Sequence, residues 1–190
     1  MPTKLARKGP IVKKETKKCE LTFKHDLTPK DKSCLTIILQ DGFDASCASM
    51  IESAVEGGFL RDNDEAALKT MVAKIKGSPF SIAGGMLYRT YRLKTDVYNY
   101  RIVYEVLFMA VRPCAKRCNV ASRMVEMLEN MLKKETILDR ILCVSIKESN
   151  EAKSFWSDMH KVEEAEDKSL LKAMIKFDDF NPVYKIVDKC

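Results

Sequence analysis

The stretch VRPCAKRCNVASRM, residues 111–124, joins an apolar strand-like run to a helix-like run and carries several groups that suit an anion. The first turn of a helix has backbone N–H groups without intrahelical partners, and the helix dipole adds about half a positive charge there. Lys116 and Arg117 add two cations on the approach. Amides and basic side chains together are typical of a diphosphate site, although an ordinary strand-to-helix turn with two basic residues has the same pattern.

A carboxylate lies on the strand that precedes this turn. On the two-residue period of a strand, Glu105 shares a face with three apolar residues, Val103, Leu107 and Met109. That environment is unusual for a solvated carboxylate, and an outward-facing glutamate at an edge is the alternative.

Two strands, a helix and a third strand must position these groups. The segments 80–93 and 98–111 are rich in β-branched and aromatic residues and predict an antiparallel hairpin. The apolar stripe of 122–134 predicts a helix, and 140–146 predicts the strand that completes a strand-helix-strand unit.

The flanking segments complete one mixed α/β domain, which we expect to span residues 19–190. We predict a short buried strand over 34–40, a helix from Ala45 to Gly57, a helix over 62–77, a short helix over 149–161 and a strand over 182–187. The segment 170–177 fits either a helix or a strand.

The net charge of +6 resides in a tail, because residues 1–18 hold seven Lys and Arg against one acid. With almost nothing to bury, this tail is predicted to be disordered. A nuclear-import signal, a weak nucleic-acid contact and a plain solvated terminus all fit its composition.

The seven cysteines are odd in number and scattered, and we interpret them as reduced thiols of an intracellular protein in the nucleus or cytoplasm. No apolar run approaches the roughly 20 residues that cross a bilayer, so no membrane partner is expected. With only two histidines, no metal site is expected either. Arg89, Arg92 and Arg101 on the hairpin are interpreted as solvated strand arginines, with a basic binding face as the alternative.

Four motifs occur in the order and at the spacing of a known superfamily: IAGGMLYR (82–89), YEVLFMAV (104–111), KRCNVA (116–121) and NEAKSFW (150–156). Together they resemble the GNAT superfamily of acetyl-CoA-dependent N-acetyltransferases. Glu105, five residues before the Ala of an Ala-Val pair, is most similar to the histone-acetyltransferase branch. The resemblance implies a GNAT fold of the α/β (α+β) class, with a mixed sheet of about six to seven strands and about four flanking helices.

The resemblance also implies the cofactor contacts. Residues 116–121 lie over the family pattern Gln/Arg-x-x-Gly-x-Gly/Ala, which binds the pyrophosphate of acetyl-CoA. Asn119 replaces its first glycine, and Asn is the residue with a side chain that best tolerates the left-handed region. The implied acetyl-CoA contacts are Met109, Ala110, Val111, Lys116, Arg117, Cys118, Asn119, Val120, Ala121, Ser122, Asn150, Phe155 and Trp156.

By the same resemblance Glu105 is the general base. A lysine amine with a pKa near 10.4 needs roughly 4–5 kcal/mol to be neutral at pH 7, so a partly desolvated carboxylate would assist. Trp156 stands where many members have a tyrosine that protonates the leaving thiolate.

The acceptor implied by the histone branch is a protein lysine, with a histone tail as one candidate. Two alternatives stay open. One is an enzyme for a small amine, such as a polyamine or amino sugar, with the acidic run 162–167 lining its pocket. The other is a non-catalytic GNAT-like domain that binds or scaffolds.

Overall fold

The computed structural model describes residues 19–58, 67–78, 82–95, 99–137, 139–147, 149–177 and 180–188. The predicted basic tail lies outside the described residues. So do the side chains of Arg117, Lys147 and Asn150.

Within this part of the chain, seven strands form one mixed sheet in the order β1-β2-β3-β4-β5-β7-β6. All neighbouring strands are antiparallel except β4 and β5, which run parallel. The mixed sheet confirms the predicted fold class. The strands are β1 Leu21–Lys24, β2 Ala67–Ile75, β3 Gly84–Lys94, β4 Tyr100–Val111, β5 Arg140–Lys147, β6 Glu163–Glu164 and β7 Phe180–Ile186.

Helices cover both faces of this sheet. The α3 and α4 side packs around Met124, Leu128 and Trp156, and the other face is covered by α1, α2 and α5. α4 continues as a π-helical turn, Ser154–Met159. The helices are α1 Pro29–Gly42, α2 Ala48–Glu56, α3 Val120–Lys133, α4 Asn150–Lys153 and α5 Lys168–Ala173.

The centre of the fold follows the sequence prediction. β3 and β4 form the predicted antiparallel hairpin, with Gly84 beside Val111 and Lys94 beside Tyr100. β4, α3 and β5 form the predicted strand-helix-strand unit, in which α3 links the two parallel strands. The predicted helices that end at Gly57 and begin near residue 150 are also present. The segment 170–177, which fitted either a helix or a strand, is helical up to Ala173, where α5 ends.

The strand predicted for residues 34–40 is wrong, because these residues lie inside α1. Thr28 starts the helix: its hydroxyl accepts from the N–H of Asp31 at 3.2 Å, and the Asp31 carboxylate accepts from the Thr28 N–H at 3.4 Å. This capping box and Pro29 favour a helix that the apolar run alone does not reveal. Leu35, Ile38 and Leu39 are buried at helical spacing.

The helix predicted for residues 62–77 is also wrong where the chain is described, since 67–75 form β2. This strand lies between β1 and β3 and is hydrogen-bonded to both. Because Met71, Val72 and Ala73 are consecutive and fully buried, the strand has covered faces on both sides. Such a strand loses the simple alternation that distinguishes it from a helix.

The Gly84-Gly85 pair allows close packing at the start of β3. A Cβ on Gly85 would lie 2.4 Å from a methyl of Leu35, and one on Gly84 would lie 2.9 Å from the carbonyl oxygen of Ala110. α1 and β4 therefore approach β3 at distances that only glycine permits. This contact sets α1 beside the end of β4 that precedes α3.

Candidate active site

β4 and β5 separate along their length. Their pairing ends at Val106 beside Val144. β4 continues to Val111 and β5 to Lys147 without further pairing between the two strands, whose backbones are described throughout. Backbone groups of β4 that point away from β3 beyond Val106 therefore face an opening. An extended ligand arm can bind such groups as an added strand would.

A cavity of about 360 Å³ lies at this opening. Leu107 and Met109 line it from β4, and Ser145 and Ile146 line it from β5. Val106 and Val144 also line it, and residues outside these two strands complete the wall: Gly42, Phe43, Asp44, Cys47, Ser149, Glu151, Ala152, Trp156 and Phe180. The sequence predicted Met109 and Trp156 as site residues and missed the others, because nothing local marks a residue of α1, α4 or β7 as a neighbour of β4.

A second cavity, of about 270 Å³, lies between β5, β7 and the segment that follows α5. It shares Ser145 and Phe180 with the first cavity. Its remaining lining residues are Leu171, Met174, Ile175, Lys176, Phe177 and Pro182. The two cavities therefore adjoin at Ser145 and Phe180, with a mostly apolar wall on the second side.

The turn before α3 has the backbone geometry that the sequence predicted for Asn119. Its φ of 52° and ψ of 31° lie in the left-handed region. The Asn119 side chain makes no capping hydrogen bond, while its carbonyl accepts from the N–H of Arg123 at 3.1 Å. The first N–H groups of α3 have no acceptor inside the helix, so the turn fits a phosphate group.

The other residues of the turn contribute in different ways. Lys116 is exposed and free to reach an anion in solution. Val120 is buried in the core, which leaves only its backbone for a ligand. Ala121 and Ser122 are half-buried in the first turn of α3.

Cys118 forms a disulfide with Cys19, so the prediction of reduced thiols is wrong for this pair. The two Cα atoms lie 5.4 Å apart although 99 residues separate them in sequence. The fold brings the start of β1 to the turn before α3, which spacing alone could not reveal. Among the described cysteines, Cys34, Cys47, Cys114 and Cys143 are not in a disulfide.

Glu105 is completely buried on β4, on the face covered by α5. One carboxylate oxygen accepts from Nε of Arg89 at 2.7 Å, and the other accepts from the N–H of Ile175 at 2.8 Å. Burial raises the pKa of Glu105 above 4.5, while the charge and hydrogen bond of Arg89 lower it. Glu105 does not line the first cavity, but its neighbours Val106 and Leu107 do, and Ile175 lines the second.

Arg89 is buried, so its interpretation as a solvated strand arginine is wrong. It lies directly opposite Glu105 in the β3–β4 pairing, and its guanidinium also donates to the carbonyl oxygen of Ala173. The hairpin register could have indicated this pair, since opposite charges on facing positions attract. Arg92, three positions further along, is exposed as predicted.

Met109, Ala110 and Val111 lie on the part of β4 that extends beyond its pairing with β5. All three are half-buried. Met109 lines the first cavity, and Ala110 lies against Gly42 at the end of α1. Their position beside the opening is the one that a ligand arm between the strands would contact.

Trp156 is 5% exposed and packs in the core on the α3 side. The Phe155 ring lies edge-on to it, with centroids 5.0 Å apart. Trp156 also lines the first cavity, whereas Phe155 does not. Its indole N–H is a donor but not a useful acid, so this side chain supplies shape rather than a proton.

Solved structures match the chain over most of its length at low identity, whereas no protein-family profile and no curated protein matches it. GCN5 from Tetrahymena superposes with a TM-score of 0.63 at 16% identity, covering 90% of this chain and 98% of that one. A GNAT-family acetyltransferase from Desulfovibrio desulfuricans gives 0.60 at 12% identity, covering 88% and 99%.

The ribosomal-protein-S18-alanine N-acetyltransferase from Escherichia coli gives a TM-score of 0.56 at 15% identity, covering 90% of this chain and 96% of that one. These similarities show that the chain has the fold of the GNAT acetyltransferases. The predicted fold is therefore confirmed.

No helix in the described ranges is long and apolar enough to span a membrane. Among the same residues, no group of three or more His, Cys, Asp or Glu side chains is placed to hold a metal ion.

Proposed function

We propose that this chain is an acetyl-CoA-dependent N-acetyltransferase whose acceptor is an amine of a protein, in particular a lysine side chain such as those of histone tails. The observation that carries the proposal is the opening between β4 and β5, whose cavity is lined by Met109 on the part of β4 that β5 does not pair with. The uncapped turn at Asn119 follows the same strand. An acyl-CoA has the two parts that these features suit, a linear amide-containing arm and a diphosphate.

The chain's own groups divide the work of binding. The first N–H groups of α3, together with Lys116 and Arg117, hold the pyrophosphate. Backbone groups of Met109, Ala110 and Val111 bind the arm and orient the thioester carbonyl, where an N–H stabilises the charge that develops on oxygen. Acetyl-CoA supplies the activated acetyl group.

Glu105 is the proposed base for the acceptor amine. Its raised pKa brings it closer to the range that suits a general base near neutral pH. The carboxylate lies beneath the backbone of Ile175, which lines the second cavity. The proton therefore reaches Glu105 through a water molecule or after the segment around Ile175 shifts.

The second cavity supports a lysine side chain over a polyamine. Its wall is formed by apolar residues with Ser145 and Lys176, and it includes no carboxylate. The aliphatic stem of a lysine suits such a wall, whereas a polyamine carries a second cation that needs an acidic partner. The acidic run 162–167 lines neither of these two cavities.

A specific observation also favours a second candidate, a GNAT-like domain that binds an acyl-CoA without transferring the acyl group. Both carboxylate oxygens of Glu105 are occupied by protein donors, and by the family resemblance Trp156 stands where many GNAT members have a tyrosine acid. This candidate predicts acetyl-CoA binding without acetyl transfer to any amine.

Calorimetry with acetyl-CoA and an acetylation assay separate these candidates. We expect binding and transfer to a lysine-containing histone-tail peptide, with little transfer to spermidine or to a peptide whose only amine is its amino terminus. The Glu105→Gln variant should lose about 10²- to 10⁴-fold in kcat while it still binds acetyl-CoA. Absence of binding at millimolar acetyl-CoA would exclude both candidates.

Glu126→Gln is the matched control, because Glu126 is exposed on the surface of α3. Thermal unfolding of both variants shows whether a lost rate reflects lost structure. An unchanged rate for folded Glu105→Gln would remove Glu105 as the base.

A further inference from the structure

Arg89 and Glu105 form an ion pair inside the protein rather than on its surface. Arg89 is 5% exposed and Glu105 is 0% exposed. The two residues face each other across β3 and β4, where Nε of Arg89 lies 2.7 Å from the carboxylate. A buried pair of this kind is not an efficient way to stabilise a fold, since apolar residues of the same volume often do as well. A functional role therefore explains the buried Arg89–Glu105 pair better than a role in stability does.

Three contacts fix the Arg89 guanidinium. It bonds Glu105, donates to the carbonyl oxygen of Ala173 and lies 4.6 Å from the centroid of the Tyr91 ring. Glu105 is held on its other side by the N–H of Ile175. Arg89 and the Ile175 N–H therefore hold the Glu105 carboxylate in one orientation, next to the segment that lines the second cavity.

Within the described part of the chain, the groups that face Glu105 include a single cation. β3 contributes Arg89 and Tyr91, β5 contributes Cys143, and the segment after α5 contributes the backbone N–H of Ile175. Burial raises the pKa of both Tyr91 and Cys143, so both are neutral near pH 7. Among these described neighbours Arg89 opposes most strongly the tendency of burial to keep Glu105 protonated, and the Ile175 N–H and the Tyr91 hydroxyl act in the same direction without a charge.

We propose that Arg89 is a positioning residue for acetyl transfer, which keeps Glu105 ionised and fixes the direction of its carboxylate while the amine is deprotonated. This inference rests on the proposed function and on Glu105 as the base. Arg89 itself touches neither substrate, and it acts through Glu105 alone.

The test is the pH dependence of kcat/KM in the full-length chain. Loss of Arg89 leaves a buried carboxylate without its cation. In Arg89→Gln the acidic limb of the kcat/KM profile should therefore move to higher pH by about one to three pH units. Activity lost at neutral pH should therefore return in part at high pH. Arg89→Lys keeps the positive charge but lacks the planar guanidinium and its several donors, so it should give an intermediate shift of the acidic limb.

Arg92→Gln is the matched control, because Arg92 is an exposed arginine on the same strand. Its profile should coincide with that of the unmodified protein. A merely structural role for Arg89 predicts a different result: Arg89→Gln would be slower by the same factor at every pH, with the limb unmoved. That outcome would overturn the proposal.

A second measurement needs no turnover. The carboxyl of Glu105 can be followed by ¹³C NMR as the glutamate signal that disappears in Glu105→Gln. We expect its titration to move to higher pH in Arg89→Gln, or in Arg89→Lys if the glutamine variant does not fold. A titration that stays in place in the folded variant would refute the role of Arg89, whether or not the chain acetylates anything. A titration that moves in a protein without transferase activity would instead refute the proposed function.

Discussion

At the scale of the residue, Asn119 shows how one side chain can preserve a turn that usually needs glycine. It occupies the left-handed region at φ 52° without using its side chain as a helix cap. Asn tolerates this region better than other residues with a Cβ, and β-branched residues tolerate it least. The backbone geometry, rather than the amide group, is what this position requires.

Substitutions of Asn119 should therefore follow backbone preference. Asn119→Gly should bind CoA as tightly as the unmodified chain or more tightly. Asn119→Val should weaken binding by about 5- to 30-fold, because a β-branched residue is disfavoured in this region by about 1–2 kcal/mol and would shift the turn away from the bound geometry. Calorimetric titration with CoA measures both effects. A clear loss in Asn119→Gly would show that the amide itself contacts the ligand.

At the scale of the element, Asp31 attaches α1 to the edge of the sheet. Its carboxylate accepts from Lys24 of β1 at 2.7 Å and from Lys74 of β2 at 3.0 Å, and it also closes the capping box with Thr28. These hydrogen bonds hold the pKa of Asp31 well below its usual value of 3.8. One carboxylate therefore joins a helix start and two strands that are distant in sequence.

A lowered pKa means that the folded state prefers the ionised form of Asp31. Its contribution to stability is present above the unfolded pKa of about 3.9 and is lost as the pH falls through the lower folded value. Asp31→Asn should reduce the free energy of unfolding by about 1.5–3 kcal/mol at pH 7, and the difference should narrow below pH 4. Urea unfolding at several pH values measures this difference in the free energy of unfolding between Asp31→Asn and the unmodified protein.

Asp41→Asn serves as the control, because Asp41 is exposed in the last turn of α1. The free energy of unfolding of this variant should stay close to that of the unmodified protein at every pH. If Asp31→Asn kept a constant deficit down to pH 2, the carboxylate would contribute by packing rather than by charge.

At the scale of the whole molecule, the Cys19–Cys118 disulfide closes a loop across 99 residues of sequence. The loop contains α1, α2 and the first four strands, so it joins one edge of the sheet to the turn before α3. Cross-links over long loops stabilise mainly by restricting the unfolded chain.

Oxidised protein should be more stable than reduced protein by about 3–5 kcal/mol. Cys19→Ser should abolish this dependence on reductant, whereas Cys114→Ser, which removes an exposed free thiol nearby in sequence, should keep it. Denaturant unfolding with and without dithiothreitol measures the difference, and peptide mapping without reductant identifies the bond. Absence of a peptide that links Cys19 to Cys118 would contradict the expectation.

Sequence alone was enough to predict the β3–β4 hairpin and the β4-α3-β5 unit, and it marked Asn119 as a residue that tolerates the left-handed region. The reason is that each depends on neighbours in the chain: alternating β-branched residues, a helical stripe between two strands, and the intrinsic backbone preference of one residue. The place of Glu105 on an apolar face was predictable for the same reason.

The helix over residues 34–40 had a local signal that its apolar run obscured, the capping box and Pro29 before it, whereas contacts between distant segments were needed to show that 67–75 form a strand. The first segment is helical because a cap and two lysines from other strands hold its start, and the second is extended because β1 and β3 lie on either side of it. The burial of Arg89 and the divergence of β4 from β5 likewise arise from elements that meet in space. Local pattern carries no information about such partners, because the energy that settles each case comes from contacts between segments far apart in the chain.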